Sequence, residues 1–184
     1  IYLNMGMFEQ GRDWFHRVYR KKDKMSPKLQ IWMERKYAQF YGTPYDEIKQ
    51  MLKLKQIDDQ DYDVYYNLGV TYHNVYQYEK AITELEKAMD IRNNWHLKPS
   101  KSLYFWLGSA YQNTGQYKKT RNIYEKGLQD FPDYLYLINR LAVIALAEGH
   151  TGKANRYFEK WISKLETALN PADINYAWAR LYSE

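Results

Sequence analysis

The chain has 184 residues, 45% of them hydrophobic and 17% aromatic, with a formal net charge of +5. That apolar content, with no Pro-rich or Gly/Ser-rich stretch, excludes a disordered chain, and the length allows a continuous core. The absence of cysteine excludes disulfides and zinc-thiolate sites, and no apolar run approaches the ~20 residues needed to cross a bilayer.

Residues 1–24 read as the remainder of a helix pair, turning near Gln10-Gly11-Arg12, with Trp14, Phe15, Val18 and Tyr19 on its second helix. Because the chain begins at Ile1 and inside a repeat, it is expected to be a fragment or processed product. No signal peptide is visible, which favours the cytoplasm but leaves the compartment open. In residues 25–61, Ser26-Pro27 has the chemistry of a helix start, a good cap followed by a residue that fits the first turn. Glu34-x-x-Tyr37-Ala38-x-x-Tyr41 then supplies a partial first helix and Gly42-Thr43-Pro44 breaks it. Residues 45–57 form the second helix, with Ile48, Met51 or Leu52, and Leu54 or Ile57 turned inward. The acidic run at residues 58–63 connects this pair to the next and caps the following helix near Asp61 or Asp63.

Residues 62–100 contain Tyr65-x-x-Leu68-Gly69-x-x-Tyr72, followed by Ala81, Leu85 and Ala88. The tract returns 39 residues later as Tyr104-x-x-Leu107-Gly108-x-x-Tyr111 in residues 101–134, followed at the same intervals by Thr120, Tyr124 and Gly127. Residues 135–171 carry a degenerate copy, Ile138, Leu141, Ala142 and Ala145, then Ala154, Phe158 and Trp161. Residues 172–184 open a further helix with Asn175, Trp178, Ala179 and Tyr182.

Large residues three, four and seven apart line one helix face. Gly69, Gly108 and Ala142 lie on that face, where small side chains let a neighbouring helix approach. The polar breaks at residues 113–116 and 148–152 turn the chain back. Each unit is therefore an antiparallel helix pair that is stabilised by stacking on the next. The 20 tyrosines and 6 tryptophans replace a leucine-rich core, since each buries roughly 150–250 Å². Between the first two clear copies the spacing exceeds the usual ~34 residues. The excess falls at residues 90–100, where Trp95 is expected to plug the space between pairs, the alternative being an exposed contact residue.

These residues resemble the tetratricopeptide repeat family, whose W-x2-L-G-x2-Y, A-x3-F and terminal P pattern is matched with Tyr65 and Tyr104 at the Trp site. Leu68, Gly69, Tyr72, Ala81, Leu85 and Ala88 fit in one repeat, and Leu107, Gly108, Tyr111, Tyr124 and Pro132 in the next, with Thr120 and Gly127 in place of alanines. The resemblance implies an all-α fold, a right-handed superhelix of antiparallel helix pairs, formed as one array over residues 1–184. The Ser26-Pro27 entry, short Gly42-Thr43-Pro44 turn and acidic linker also resemble repeat regions of bacterial signalling or transcriptional regulators, with an effector domain upstream.

Little in the chain points to catalysis. His16, His73, His96 and His150 are scattered, with no i, i+4 metal pair. There is no phosphate-binding glycine loop, and the acidic run lacks the glycine and final glutamate of a calcium loop. The chain is read as non-enzymatic, with no catalytic residue, metal or cofactor. Arg17, Arg20, Lys21, Lys22, Lys24 and Lys28 are densest at a helix end, where they complement the dipole, and the aromatics nearby are spaced for packing; nucleic acid is not an expected partner.

The resemblance places the binding surface on the first helix of each pair, away from the packing residues. By register this gives Asp63, Tyr66, Asn67, Val70, His73 and Asn74; then Ser102, Phe105, Trp106, Ser109, Gln112 and Asn113; then Tyr136, Asn139, Arg140, Val143 and Leu146. Aromatic anchors among amides and a hydroxyl suit a bound peptide or helix. Tyr66 and Val70 stand where the family's carboxylate clamp needs Lys and Asn, leaving only Asn67 and Arg140 of suitable type, so that clamp is not expected. The resulting expectation is a protein-interaction scaffold with a concave groove. Its rivals are homodimerisation through a terminal helix exposing Tyr176, Trp178 and Tyr182, and an accessory role to an enzyme.

Overall fold

The computed structural model describes residues 8–168, and every regular element among them is a helix. Two compact units, residues 1–96 and 97–184, divide the chain. The helix expected at residues 172–184, and the association proposed through Tyr176, Trp178 and Tyr182, lie outside the described residues. Among those described, no helix is long and apolar enough to cross a membrane.

The first unit contains α1 (Phe8–Tyr19), a single 3-10 turn (Lys22–Lys24), α2 (Pro27–Tyr41), α3 (Pro44–Ile57), α4 (Tyr62–Asn74) and α5 (Tyr78–Asn94). Helices α2 and α3 pair, α4 and α5 pair, and α3 packs on α4. The turn expected at Gln10-Gly11-Arg12 is corrected, because α1 runs through it unbroken. One glycine costs a helix only about 1 kcal/mol, and continuity brings Phe15 to 5.2 Å from Phe40 and stacks Tyr19 on Tyr37 at 4.9 Å. Trp14 and Val18 instead point outward, 52% and 44% exposed.

Pro27 opens α2 after Ser26, whose side chain makes no capping bond. The cap of α3 is stronger. Thr43 Oγ1 accepts from the Asp46 amide at 3.3 Å while the Asp46 carboxylate accepts from the Thr43 amide at 2.9 Å, a reciprocal capping box. Ile48, Met51 and Leu54 are the inward residues of α3, and Leu52 and Ile57 are exposed. Asp61 caps α4 by accepting from the Asp63 and Val64 amides.

Tyr65, Leu68 and Tyr72 of α4 and Ala81, Leu85 and Ala88 of α5 are all buried at the spacing read from the sequence. The longer repeat has a simple cause. Helix α5 has 17 residues against 14 in α7, so three of the extra five residues lengthen the helix and two lengthen the connection after it. Trp95, at the C-cap of α5, is 51% exposed, which overturns its reading as a buried plug. The chain turns away after it because His96 adopts φ +53°.

The second unit contains α6 (Lys101–Asn113), α7 (Tyr117–Asp130), α8 (Leu135–Ala147) and α9 (Thr151–Ala168). Here α6 pairs with α7, α8 pairs with α9, and α7 packs on α8. Tyr104 and Tyr124 are fully buried, together with Leu103, Leu107, Leu137, Ile138 and Leu141. Each such side chain contributes roughly 1.5–3 kcal/mol of transfer free energy. The Tyr104 hydroxyl donates to Asp130 at 2.5 Å, and burial with this carboxylate pushes the phenol pKa well above its ordinary value. Gly108 is needed for close approach: a Cβ there would lie 2.1 Å from Cε1 of Tyr124. The degenerate third copy closes its pair with buried Ile138, Leu141, Ala142, Ala145 and Ala154, and half-buried Phe158 and Trp161.

Candidate binding surfaces

In the first unit, the α4 residues beside the packing stripe form the candidate surface. Tyr66 stacks on Tyr62 at 5.8 Å with the rings 14° from parallel, and His73 meets Tyr78 edge-on at 5.2 Å. Burial lowers the His73 pKa, favouring the neutral imidazole. Val70 is half-buried, and Asp63 and Asn74 are exposed. Asn67 is already engaged: its Oδ1 accepts from Arg35 Nη2 at 3.0 Å and its Nδ2 donates to the Asp63 carbonyl at 2.6 Å. The same Arg35 Nη2 lies 2.5 Å from Glu47 Oε1, in a pair only about one-tenth exposed on either side. Arg35 therefore ties α2 to α3 and to α4, and Asn67 serves that network. Nothing in the helical spacing marked Arg35, since the partners of a buried cation are chosen by interhelical packing.

Two expectations about charge resolve in this unit. Lys28, from the basic cluster, lies 2.8 Å from Asp58 and 2.9 Å from Asp61, so the acidic connector is answered by a lysine of α2. Lys22 pairs with Glu34, and Arg17 sits over the Trp14 ring at 5.2 Å.

The second unit carries a denser surface on α6 and α8. Phe105 is its centre, with Trp106 at 5.2 Å, Tyr136 at 5.9 Å edge-on, and the Arg140 guanidinium 5.7 Å from its ring centroid. Tyr136, Val143 and Leu146 are 65%, 41% and 53% exposed. Ser102, Ser109 and Asn139 are half-buried; Asn113 is exposed and donates to the Ser109 carbonyl at 2.8 Å. A cavity of about 430 Å³ opens beside this group, lined by Gln112, Tyr117, Val143, Ile144, Ala147 and Glu148. Gln112 and Val143 were anticipated as surface residues. Tyr117, Ile144, Ala147 and Glu148 were not, because Tyr117 opens a second helix and the other three stand near the end of α8. One signal was present: Tyr117 repeats Tyr78 at the 39-residue interval.

Stacked helix pairs with a packed seam, and with aromatic and amide groups on their first helices, define a helical-repeat fold. Residues 62–94 and 102–129 match the tetratricopeptide repeat family, the segments that build the α4–α5 and α6–α7 pairs. Those two segments carry tetratricopeptide repeats, and the described residues share the all-α helical-repeat fold of such proteins. Solved structures share the fold. MamA is 24% identical with a TM-score of 0.73, covering 91% of this chain and 98% of its own. PilW, a widely conserved type IV pilus biogenesis factor, is 16% identical with a TM-score of 0.71, covering 94% and 76%. A kinesin light chain-like protein from Podosopora anserina with nearly identical TPR-like repeats is 15% identical with a TM-score of 0.67, covering 92% of each chain. No curated protein matches the sequence.

Proposed function

We propose that this chain is a non-enzymatic interaction scaffold that binds protein segments on the first-helix faces of its repeats. In the second unit the binding residues are Phe105, Trp106, Ser109, Gln112, Asn113, Tyr136, Asn139, Arg140 and Val143. In the first they are Tyr66, Val70, His73 and Asn74, with Asn67 acting through its bond to Arg35. The observation that carries this reading is the exposed apolar set Tyr136, Val143 and Leu146 beside Phe105 and the adjoining cavity. Such a face combines aromatic anchors with a concavity able to receive a side chain. The shared repeat fold supports the scaffold class.

Capture from the source cell with wild type and with Phe105→Ala/Trp106→Ala, compared quantitatively, tests the assignment. A specific partner should fall by tenfold or more with the double variant while the helical circular dichroism is retained. Equal recovery of every bound protein by both forms would remove these residues from the binding surface.

A further inference from the structure

The charge distribution around Phe105 narrows what the second unit can hold. Lys98, Arg121, Lys153 and Lys164 of this unit each face a carboxylate, of Asp130, Glu148, Glu125 and Asp133 respectively. Arg140, like Lys101 over the Tyr134 ring, is set against an aromatic group instead. It is half-buried, and among the described residues its close contact is the Phe105 ring rather than a carboxylate. An aromatic face steadies a guanidinium by its negative quadrupole but does not neutralise it. The Arg140 charge also reaches the fully buried Tyr124 phenol, where it opposes the pKa rise imposed by burial. The aromatic centre of this surface thus holds a pre-positioned cation that no carboxylate of the described residues faces.

Distance relates Arg140 to the cavity. Ile144 and Ala147, on the cavity wall, follow Arg140 by four and seven residues on the same helix. At ~1.5 Å per residue they lie about 6 and 10 Å along the axis. An extended peptide advances ~3.3 Å per residue and places alternate side chains on one face. Two side chains two positions apart are therefore separated by about 6.6 Å, which matches the step from Arg140 to Ile144 on the cavity wall. At the far rim Glu148 is negative, although partnered by Arg121 and 3.5 Å from His150. An acidic group is thus favoured at the Arg140 end and an uncharged side chain at the cavity.

Resting on the scaffold reading above, we infer that the α6–α8 surface recognises an extended acidic peptide, pairing Arg140 with an Asp or Glu carboxylate and seating a large apolar side chain two residues away in the Val143–Ala147 cavity. Arginine is suited to this role because its planar donors can accept a carboxylate bidentately while the guanidinium remains stacked. The cavity supplies the apolar half of the recognition, and neither half requires a change in the chain's own ion pairs.

Selection of a random dodecapeptide display library against residues 1–184 tests the inference, in parallel with Arg140→Gln and with Ala147→Trp, which fills the cavity from an exposed position. Wild type should enrich peptides with an acidic residue two positions from a large apolar one. The acidic preference should vanish with Arg140→Gln and the apolar preference with Ala147→Trp. In a fluorescence polarisation titration, the best enriched peptide should bind Arg140→Gln at least tenfold more weakly, and raising the salt should shrink that difference. Enriched peptides that lack the acidic residue, or that bind Arg140→Gln equally, would overturn the inference while leaving the scaffold reading intact. Enrichment unaffected by Phe105→Ala, or none at all, would overturn both.

Discussion

Gly108→Ala adds one methyl group at the contact between α6 and α7, and the structure sets its cost. The new Cβ would lie 2.1, 2.6 and 2.7 Å from Cε1, Cδ1 and Cζ of Tyr124, where ordinary contact begins near 3.4 Å. The ring must therefore retreat by more than an ångström, yet Tyr124 is fully buried and has no open side. Overpacking of this kind costs about 1–3 kcal/mol. Three contacts this short with a buried ring put the cost in the upper half of that range, and alanine in a helix interior returns about 1 kcal/mol relative to glycine, leaving a net loss of about 1–2 kcal/mol. At roughly 2–4 °C per kcal/mol for a chain of this size, melting should fall by several degrees. Urea unfolding followed by circular dichroism measures the loss, and a double-mutant cycle assigns it. In a Tyr124→Ala background the ring is absent, and Gly108→Ala should become neutral or stabilising. Unchanged or increased stability of the single variant, or an equal loss in both backgrounds, would refute the claim that Gly108 exists to admit that ring.

The turn after α4 provides a contrasting case. Tyr76 holds φ +62° at the position where the next two repeats place Gly115 at +74° and Gly149 at +76°. Its left-handed strain is on the order of 1–2 kcal/mol, and glycine's greater chain entropy offsets roughly half of that. Tyr76→Gly should accordingly raise stability by about 0.5–1 kcal/mol in thermal melts; a loss would mean that its edge contact with Tyr78 outweighs the strain. Arg35→Met should cost about 3–5 kcal/mol, because it leaves the Glu47 carboxylate buried without a cation. Adding Glu47→Leu should recover most of that loss in urea titrations, whereas a single-variant cost below about 1 kcal/mol would show that water reaches the carboxylate.

Much of the repeat architecture was legible because its causes are local. Tyr65, Leu68 and Tyr72 recur at the helical period, and their burial follows from that period alone. Asp61 and Asp63 were both legible as cap candidates, and Asp61 takes the role because its side chain bonds amides two and three residues on. Gly115 and Gly149 mark turns through a backbone conformation that glycine adopts without strain. Where local rules were ambiguous, packing chose. Gly11 was taken for a turn, yet Phe15 and Tyr19 of the continuous helix reach α2. Met51 and Leu54 were selected over Leu52 and Ile57 by the direction of the neighbouring helix.

The same division holds for the candidate surface. Register alone separated Phe105, Tyr136, Arg140 and Val143 from the residues that hold the helices together, because both sets obey one 3.6-residue period. What register lacks is any knowledge of neighbours on other helices. Only the tertiary structure placed Arg140 over Phe105, committed Asn67 to Arg35, left Trp95 half exposed and opened a cavity between Tyr117 and α8. The sequence by itself determined which face the helices of the clear repeats, α4 to α7, turn inward, since that is encoded in the spacing of their own side chains. The pairing of charges and the shape of the cavity were decided in three dimensions, because both depend on distances between residues that helical periodicity does not relate.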